Sequence, residues 1–154
     1  MIARDIMDTR FHTLSPGQSI AEAVDRFRTA TAEEGRKIFG MMVVDDQDRL
    51  VGMLSMYDIL IYIQPKHAAI WGEMQDVDPD AAFARQMQRV GAVRVGDIMT
   101  TEVVTIRPDT HLLVIADIMI KKHIRRLPVV DGRAVVGIVY VSNVFYRMLE
   151  ALPA

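Results

Sequence analysis

The sharpest chemistry-bearing pattern in this chain is Gly52-x-x-Ser55-x-x-Asp58. It falls where an apolar stretch of strand character runs into a helical one. Free amides and a hydroxyl at the start of a helix suit an anion such as a phosphate. An ionised carboxylate accepts hydrogen bonds and donates none, which suits the two vicinal hydroxyls of a ribose. Gly52 lets the backbone run close to a neighbour. The same Ser-x-x-Asp spacing also reads as an ordinary helix cap, worth on the order of 1 kcal/mol. The two roles can coexist at Ser55 and are harder to combine at Asp58.

The remaining candidates for chemistry are sparse. Lys121-Lys122-His123-Ile124-Arg125-Arg126 is the one basic run. Lys121 and Lys122 read as cations at the negative pole of a helix. For the two arginines, phosphate contact and plain solvation both stand open. No aromatics interleave the run, and the chain is net acidic at −2, so nucleic acid is not an expected partner. His12, His67, His111 and His123 form no ligand-spaced pair. With no cysteine there is no disulfide, thiolate metal site or cysteine nucleophile. No Ser/His/Asp constellation, GxGxxG or Walker loop is present.

The elements that must position Ser55 and Asp58 follow from an internal repeat. Asp-Ile-Met occurs at residues 5–7 and again at 97–99, an offset of 92. That offset holds for Thr13 on Thr105, Pro16 on Pro108, Ile20 on Leu112 and Asp25 on Asp117. It slips to 86 at Val44-Asp45 on Val130-Asp131, and to 85 at Gly52 on Gly137. Slips confined to connecting segments are what a repeat tolerates. Each copy reads as β-α-β-β-α. Short extended stretches (Phe11 to Leu14; Val103 to Ile106) come first. Helices follow, with apolar faces Ile20, Ala23, Val24, Phe27 and Leu112, Ile115, Ala116, Met119. Ser19-x-x-Glu22 is a capping box for the first. Two strands and a closing helix complete each copy: Met41 to Val44, Leu50 to Leu54 and Met56 to Ile63; Leu127 to Val130, Val135 to Val139 and Ser142 to Leu149. The fold class is therefore α+β, with repeat 1 over 1–64, a helical connector over 65–93 and repeat 2 over 94–154. In the connector, Asp78-Pro79 starts a helix whose one-sided face is Phe83, Met87 and Val90. Trp71 and Tyr62 anchor it or meet a second copy.

Composition agrees with a folded module. Each half has roughly 60 residues, marginal alone, so the halves are expected to fold as a pair. Hydrophobic content of 51% supplies a core. No apolar run approaches a membrane span and no apolar signal region opens the chain, so a cytoplasmic location is the default. The methionines are mostly core by position, and their pliancy would help a cleft repack.

Three stretches now carry a resemblance. The repeated Asp-Ile-Met, Arg125-Arg126-Leu127-Pro128-Val129-Val130-Asp131 and Gly52-Met53-Leu54-Ser55-Met56-Tyr57-Asp58-Ile59 closely resemble the CBS domain family. The resemblance covers nearly everything except the connector. It implies a tandem pair, a Bateman module, whose two halves pack through their sheets and which usually dimerises. It further implies a regulatory sensor, not an enzyme, that binds AMP, ADP, ATP or S-adenosylmethionine in clefts between the halves and acts through a partner protein or self-association. No catalytic cofactor is expected, and the chain ends directly after the second repeat's last helix. The roles carried over are phosphate contact for Ser55 and ribose contact for Asp58. By the family's pseudo-symmetry the other copy supplies the base wall: Thr100, with Val104 and Ile124 sandwiching an adenine, and Arg125 or Arg126 meeting a phosphate. Met41 and Met53 line the same cleft, and Tyr57 joins the contact set. The second copy departs from the pattern, with Tyr140 for the hydroxyl and Asn143 for the carboxylate, so its site is expected to be empty, altered or weak. The alternative is a structural dimerisation module with a vestigial pocket.

Overall fold

The computed structural model describes residues 1–64 and 78–154. Connector residues 65–77, with His67 and Trp71, lie outside them. The described elements are α1 (Ala3–Ile6), β1 (Thr13–Leu14), α2 (Ile20–Glu34), β2 (Gly40–Val44), β3 (Leu50–Ser55) and α3 (Met56–Ile63), then α4 (Pro79–Ala92), α5 (Val95–Ile98), α6 (Leu112–Lys122), β4 (Arg126–Asp131), β5 (Ala134–Tyr140) and α7 (Val141–Glu150). No helix among the described residues is long and apolar enough to cross a membrane. The chain divides into two compact units. The first-repeat unit comprises His12–Val44 and Val51–Thr101, and the second-repeat unit comprises Met1–Phe11, Asp45–Leu50 and Glu102–Ala154.

The first-repeat unit is built on the sheet order β1-β2-β3. β1 runs parallel to β2, with Thr13 opposite Met42 and Leu14 opposite Val43. The central strand β2 is buried at every position. α2 starts as its sequence requires: the Ser19 hydroxyl accepts the Glu22 amide at 3.1 Å. It stops at Gly35, whose φ of 68° places it in the left-handed region that favours glycine. Ile20 and Ala23 join Leu14, Met41, Val43, Leu54 and Val90 in one core. Each of the larger side chains contributes roughly 1.5–3 kcal/mol.

α4 begins at the expected Asp78 cap, but its packed face differs from the expected one. Val90 is buried, whereas Phe83 is 60% exposed, and Met87 also faces out. A Cβ on Gly91 would lie 3.7 Å from the Ala21 Cβ. Gly91 thus meets α2 at Ala21, next to the buried Val90, while Phe83 and Met87 lie on the exposed side.

The second-repeat unit pairs β4 and β5 antiparallel, with an irregularity between Val129 and Val130. The expected strand over Val103 to Ile106 is reduced to a bridge from Ile106 to Val129. α6 is capped by His111, whose Nδ1 accepts the Leu113 amide at 3.0 Å, and it ends on His123 at φ 53°. Ile115, Met119, Leu127, Val129, Val139 and Val144 belong to the core.

The limits of the units differ from those of the repeats at the Asp-Ile-Met segments. Within the second-repeat unit, the Ala3 amide donates to Thr110 O at 2.8 Å, the Arg4 amide to Pro108 O at 2.9 Å and the Leu112 amide to Met1 O at 3.0 Å. Within the first-repeat unit, Val95 donates to Gln18 O at 2.8 Å, Gly96 to Pro16 O at 2.9 Å and Ile20 to Val93 O at 2.8 Å. Every bond of the first set maps onto one of the second at the same 92-residue offset. Each Asp-Ile-Met turn therefore completes the body of the opposite repeat.

Candidate functional site

The turn from β3 into α3 carries Ser55 and Asp58. Ser55 is the N-cap, with extended backbone at φ −111° and ψ 163°. Its hydroxyl accepts the Asp58 amide at 3.2 Å. Asp58 reaches back, and its Oδ2 accepts the Ser55 amide at 2.8 Å and the Ser55 hydroxyl at 3.1 Å. The capping box foreseen as the plain alternative is therefore formed. Its other carboxylate oxygen, Oδ1, accepts the Thr100 hydroxyl at 3.0 Å. A carboxylate offers about four acceptor positions, of which these three donors leave one.

Thr100 reaches Asp58 because its segment docks on β3. Met53 and Thr100 exchange both backbone hydrogen bonds at 2.9 Å. This docking requires Gly52, where a Cβ would fall 2.7 Å from Met99 Sδ and 2.9 Å from Thr100 O. The glycine of the motif is thus a contact surface for the second Asp-Ile-Met segment. The hydrogen bond between Thr100 and Asp58 was not foreseen, because the repeat alignment shows which residues correspond and not which ones meet.

The other residues of the contact set are divided between the units. Met53 is half-buried, and Tyr57 is 68% exposed beside Ser55. Met41 is only 3% exposed and packs in the first-repeat core, because β2 is the central strand. Val104, Ile124, Arg125 and Arg126 lie in the second-repeat unit. Of these, Val104 and Arg125 are exposed, while Ile124 and Arg126 are half-buried.

The second-repeat unit reproduces the turn with different side chains. Tyr140 is the N-cap of α7 at φ −95° and ψ 152°. Asn143 reaches back as Asp58 does, and its Oδ1 accepts the Tyr140 amide at 2.8 Å. Ile138 and Asp8 exchange backbone hydrogen bonds at 3.0 and 2.8 Å. A Cβ on Gly137 would lie 2.6 Å from Met7 Sδ. Beside this turn, a cavity of about 360 Å³ is lined by Asp5, Met7, Asn143, Tyr146, Arg147 and Glu150, among others. That volume lies within the range of small-molecule sites.

Asp45 lies in the β2–β3 turn. The amide of Arg49 holds its carboxyl below the usual range, aided by the Gln47 amide and the Arg49 guanidinium against the opposing effect of desolvation. The contacts are 2.9 Å to each amide and 2.7 Å to Arg49 Nε. This is a structural turn. Among the described residues, no group of three or more His, Cys, Asp or Glu side chains is arranged to hold a metal ion.

Comparison with known proteins adds an independent line. A family model described as CBS domain matches residues 3–65 and 95–150. The CBS domain-containing protein CBSX2, chloroplastic, of Arabidopsis thaliana is 30% identical over 156 residues, covering 95% of this chain and 63% of that protein. The chain thus spans less than two thirds of that relative. The CBS domain-containing protein YhcV of Bacillus subtilis is 30% identical over 148 residues, covering 96% of this chain and 85% of YhcV. The crystal structure of CBSX2 in complex with AMP matches with a TM-score of 0.70 at 27% identity, over 97% of each chain.

Proposed function

The chain belongs to the CBS domain family, and on that premise we propose that it is a nucleotide-binding regulatory module. Its ligand is an adenosyl compound: AMP, ADP, ATP or S-adenosylmethionine. One observation carries the reading. The Asp58 carboxylate is held at a helix N-terminus between Ser55 and Thr100, in a chain 27% identical over 97% of its length to a protein crystallised with AMP.

The geometry supports a defined binding step. A ribose diol needs two acceptor positions on Asp58. One remains open, and the second is the one the Thr100 hydroxyl now occupies. Exchanging one hydroxyl donor for another on the same carboxylate is nearly even in hydrogen-bond energy, so displacement costs little. The Ser55 cap survives, and the positive pole of the α3 dipole favours an anionic phosphate. Met53, Tyr57, Thr100, Val104, Ile124, Arg125 and Arg126 are proposed as further ligand contacts. Met41 is not carried forward, because its side chain packs in the core. Binding alters output only through a difference in affinity between two states of the module or its complexes.

The proposed output is a regulated partner protein or self-association as a homodimer, and the proposed location is the cytoplasm. Self-association has a physical basis in α3 and α7. Met56, Tyr57, Leu60 and Ile61 on one, and Val141, Phe145, Tyr146 and Leu149 on the other, expose large apolar side chains. A second reading, a structural dimerisation module with a vestigial pocket, is favoured by the closure of Asp58 into its own cap.

Thermal melting with AMP, ADP, ATP and S-adenosylmethionine separates the two readings. A ligand at 100 times its dissociation constant adds roughly 2.7 kcal/mol, several degrees for a chain of this size. Asp58→Ala is expected to remove that shift. The absence of a shift with every adenosyl compound, for protein freed of co-purified ligand, refutes the sensor and leaves the structural reading.

A further inference from the structure

The cavity in the second-repeat unit carries charges that the fold does not require. About 360 Å³ lies between residues 5–7 and one face of α7. Ile6 and Met7 supply an apolar wall, while Asp5, Arg147 and Glu150 supply charge. Asp5 Oδ2 accepts the Ile2 amide at 3.0 Å, which leaves Oδ1 for another donor. Arg147 Nε lies 3.7 Å from Glu150 Oε2, beyond hydrogen-bond length. Among the described residues, the terminal nitrogens of Arg147 make no hydrogen bond. The 85-residue offset puts Ile61 and Tyr62 of α3 at the places of Tyr146 and Arg147. The first-repeat unit thus builds the same turn and helix without a cation there.

We propose that this cavity binds an α-amino acid group, an ammonium and a carboxylate on one carbon. The Arg147 guanidinium is a planar fork whose terminal nitrogens match a carboxylate. Asp5 and Glu150 offer acceptors to an ammonium, which has three donors and no acceptor. Two carboxylates against one guanidinium leave the lining net negative, so a phosphate is a poor occupant. A simple cation would leave the guanidinium unmatched. A zwitterion answers both signs. The volume lies in the range of small-molecule sites and exceeds what the charged group alone fills. The remainder of the ligand therefore lies along Ile6 and Met7, whose thioether adapts to its shape. Two sources carry this group: a free amino acid, or the amino-acid end of an adenosyl compound such as S-adenosylmethionine. The proposal does not depend on the adenosyl reading, because a free amino acid presents the same chemistry.

Isothermal titration of the full chain with S-adenosylhomocysteine, 5′-methylthioadenosine and L-methionine tests this. The first two share an adenosyl thioether and differ by the amino-acid end. If the source is an adenosyl compound, S-adenosylhomocysteine is expected to bind roughly tenfold tighter or more than 5′-methylthioadenosine. If it is a free amino acid, L-methionine binds and its methyl ester does not. In either case Arg147→Gln removes the effect and leaves 5′-methylthioadenosine binding unchanged, and Glu150→Gln weakens it. The two side chains are 39% and 71% exposed, so both variants are expected to melt as wild type does. Equal binding of the two thioethers, with no binding of L-methionine, overturns this proposal and leaves the adenosyl reading standing. A preference that survives both substitutions also overturns it. Binding of L-methionine that depends on Arg147, with no adenosyl compound bound, upholds it and overturns the adenosyl reading instead. No heat with these three compounds or with AMP overturns both.

Discussion

Replacing Gly52 with alanine probes the contact that joins the motif to Thr100. The added Cβ would stand 2.9 Å from Thr100 O, whereas ordinary contact begins near 3.4 Å. Met99 Sδ, at 2.7 Å, is the far end of a flexible side chain and can rotate away. The Thr100 carbonyl belongs to the backbone and must move by about half an ångström. That opens the two reciprocal bonds between Met53 and Thr100, now 2.9 Å each. Two backbone hydrogen bonds at about 1 kcal/mol net apiece, with an overpacking term of about 1–3 kcal/mol, give a loss of roughly 3–5 kcal/mol. At about 2–4 °C per kcal/mol for a chain of this size, the melting midpoint falls by roughly 6–20 °C. Gly137→Ala is milder, at about 1–2 kcal/mol, because its nearest backbone neighbour, Asp8 O, lies at 3.1 Å and the closer atoms belong to the Met7 side chain. Gly17→Ala meets nothing within 4 Å and is expected within about 0.5 kcal/mol of wild type. Urea denaturation monitored by circular dichroism measures all three. If Gly52→Ala proves as stable as Gly17→Ala, the docked segment is held by something other than the Met53–Thr100 pair.

Three further outcomes follow from the same structure. The Asp45 carboxyl is held below its ordinary range, so its contribution is present above the unfolded value and is lost as pH falls through the folded one. The stability difference between wild type and Asp45→Asn is therefore expected to shrink as pH falls below about 4; a difference that grows on acidification reverses the sign. Ile115→Ala, at a fully buried core position, is expected to cost about 2–5 kcal/mol, whereas Ile120→Ala, on the exposed face of the same helix, stays within about 0.5 kcal/mol; similar losses at both sites disprove the assigned face. Leu60→Glu on α3 is expected to lower the sedimentation-derived mass toward one chain without loss of the folded circular dichroism spectrum, and an unchanged mass removes α3 from any self-association surface.

Much of the fold was legible because the two copies constrain each other. The strands at Met41 to Val44 and Leu127 to Val130 and the helices closing each copy fall within a residue or two of the observed elements. The capping boxes at Ser19 and Ser55 were readable because they depend only on local spacing. Packing partners were less so. The offset of 92 residues equates Met7 with Met99, but it cannot say that each lies on the opposite repeat's body. Phe83 and Met87 have helical spacing, yet α4 meets α2 at Gly91 and Ala21, a contact between small residues that apolar periodicity does not reveal. The family resemblance put Thr100 in the cleft of Asp58, but the direct hydrogen bond between them was not legible in the spacing.

The central claim, an adenosyl ligand held by Asp58, is tested most directly by isothermal titration of AMP into ligand-free wild type beside Asp58→Asn. The account predicts saturable binding to wild type and roughly tenfold or greater weakening in the variant. Equal affinity in the two proteins, or no heat of binding to wild type with any adenosyl compound, contradicts it.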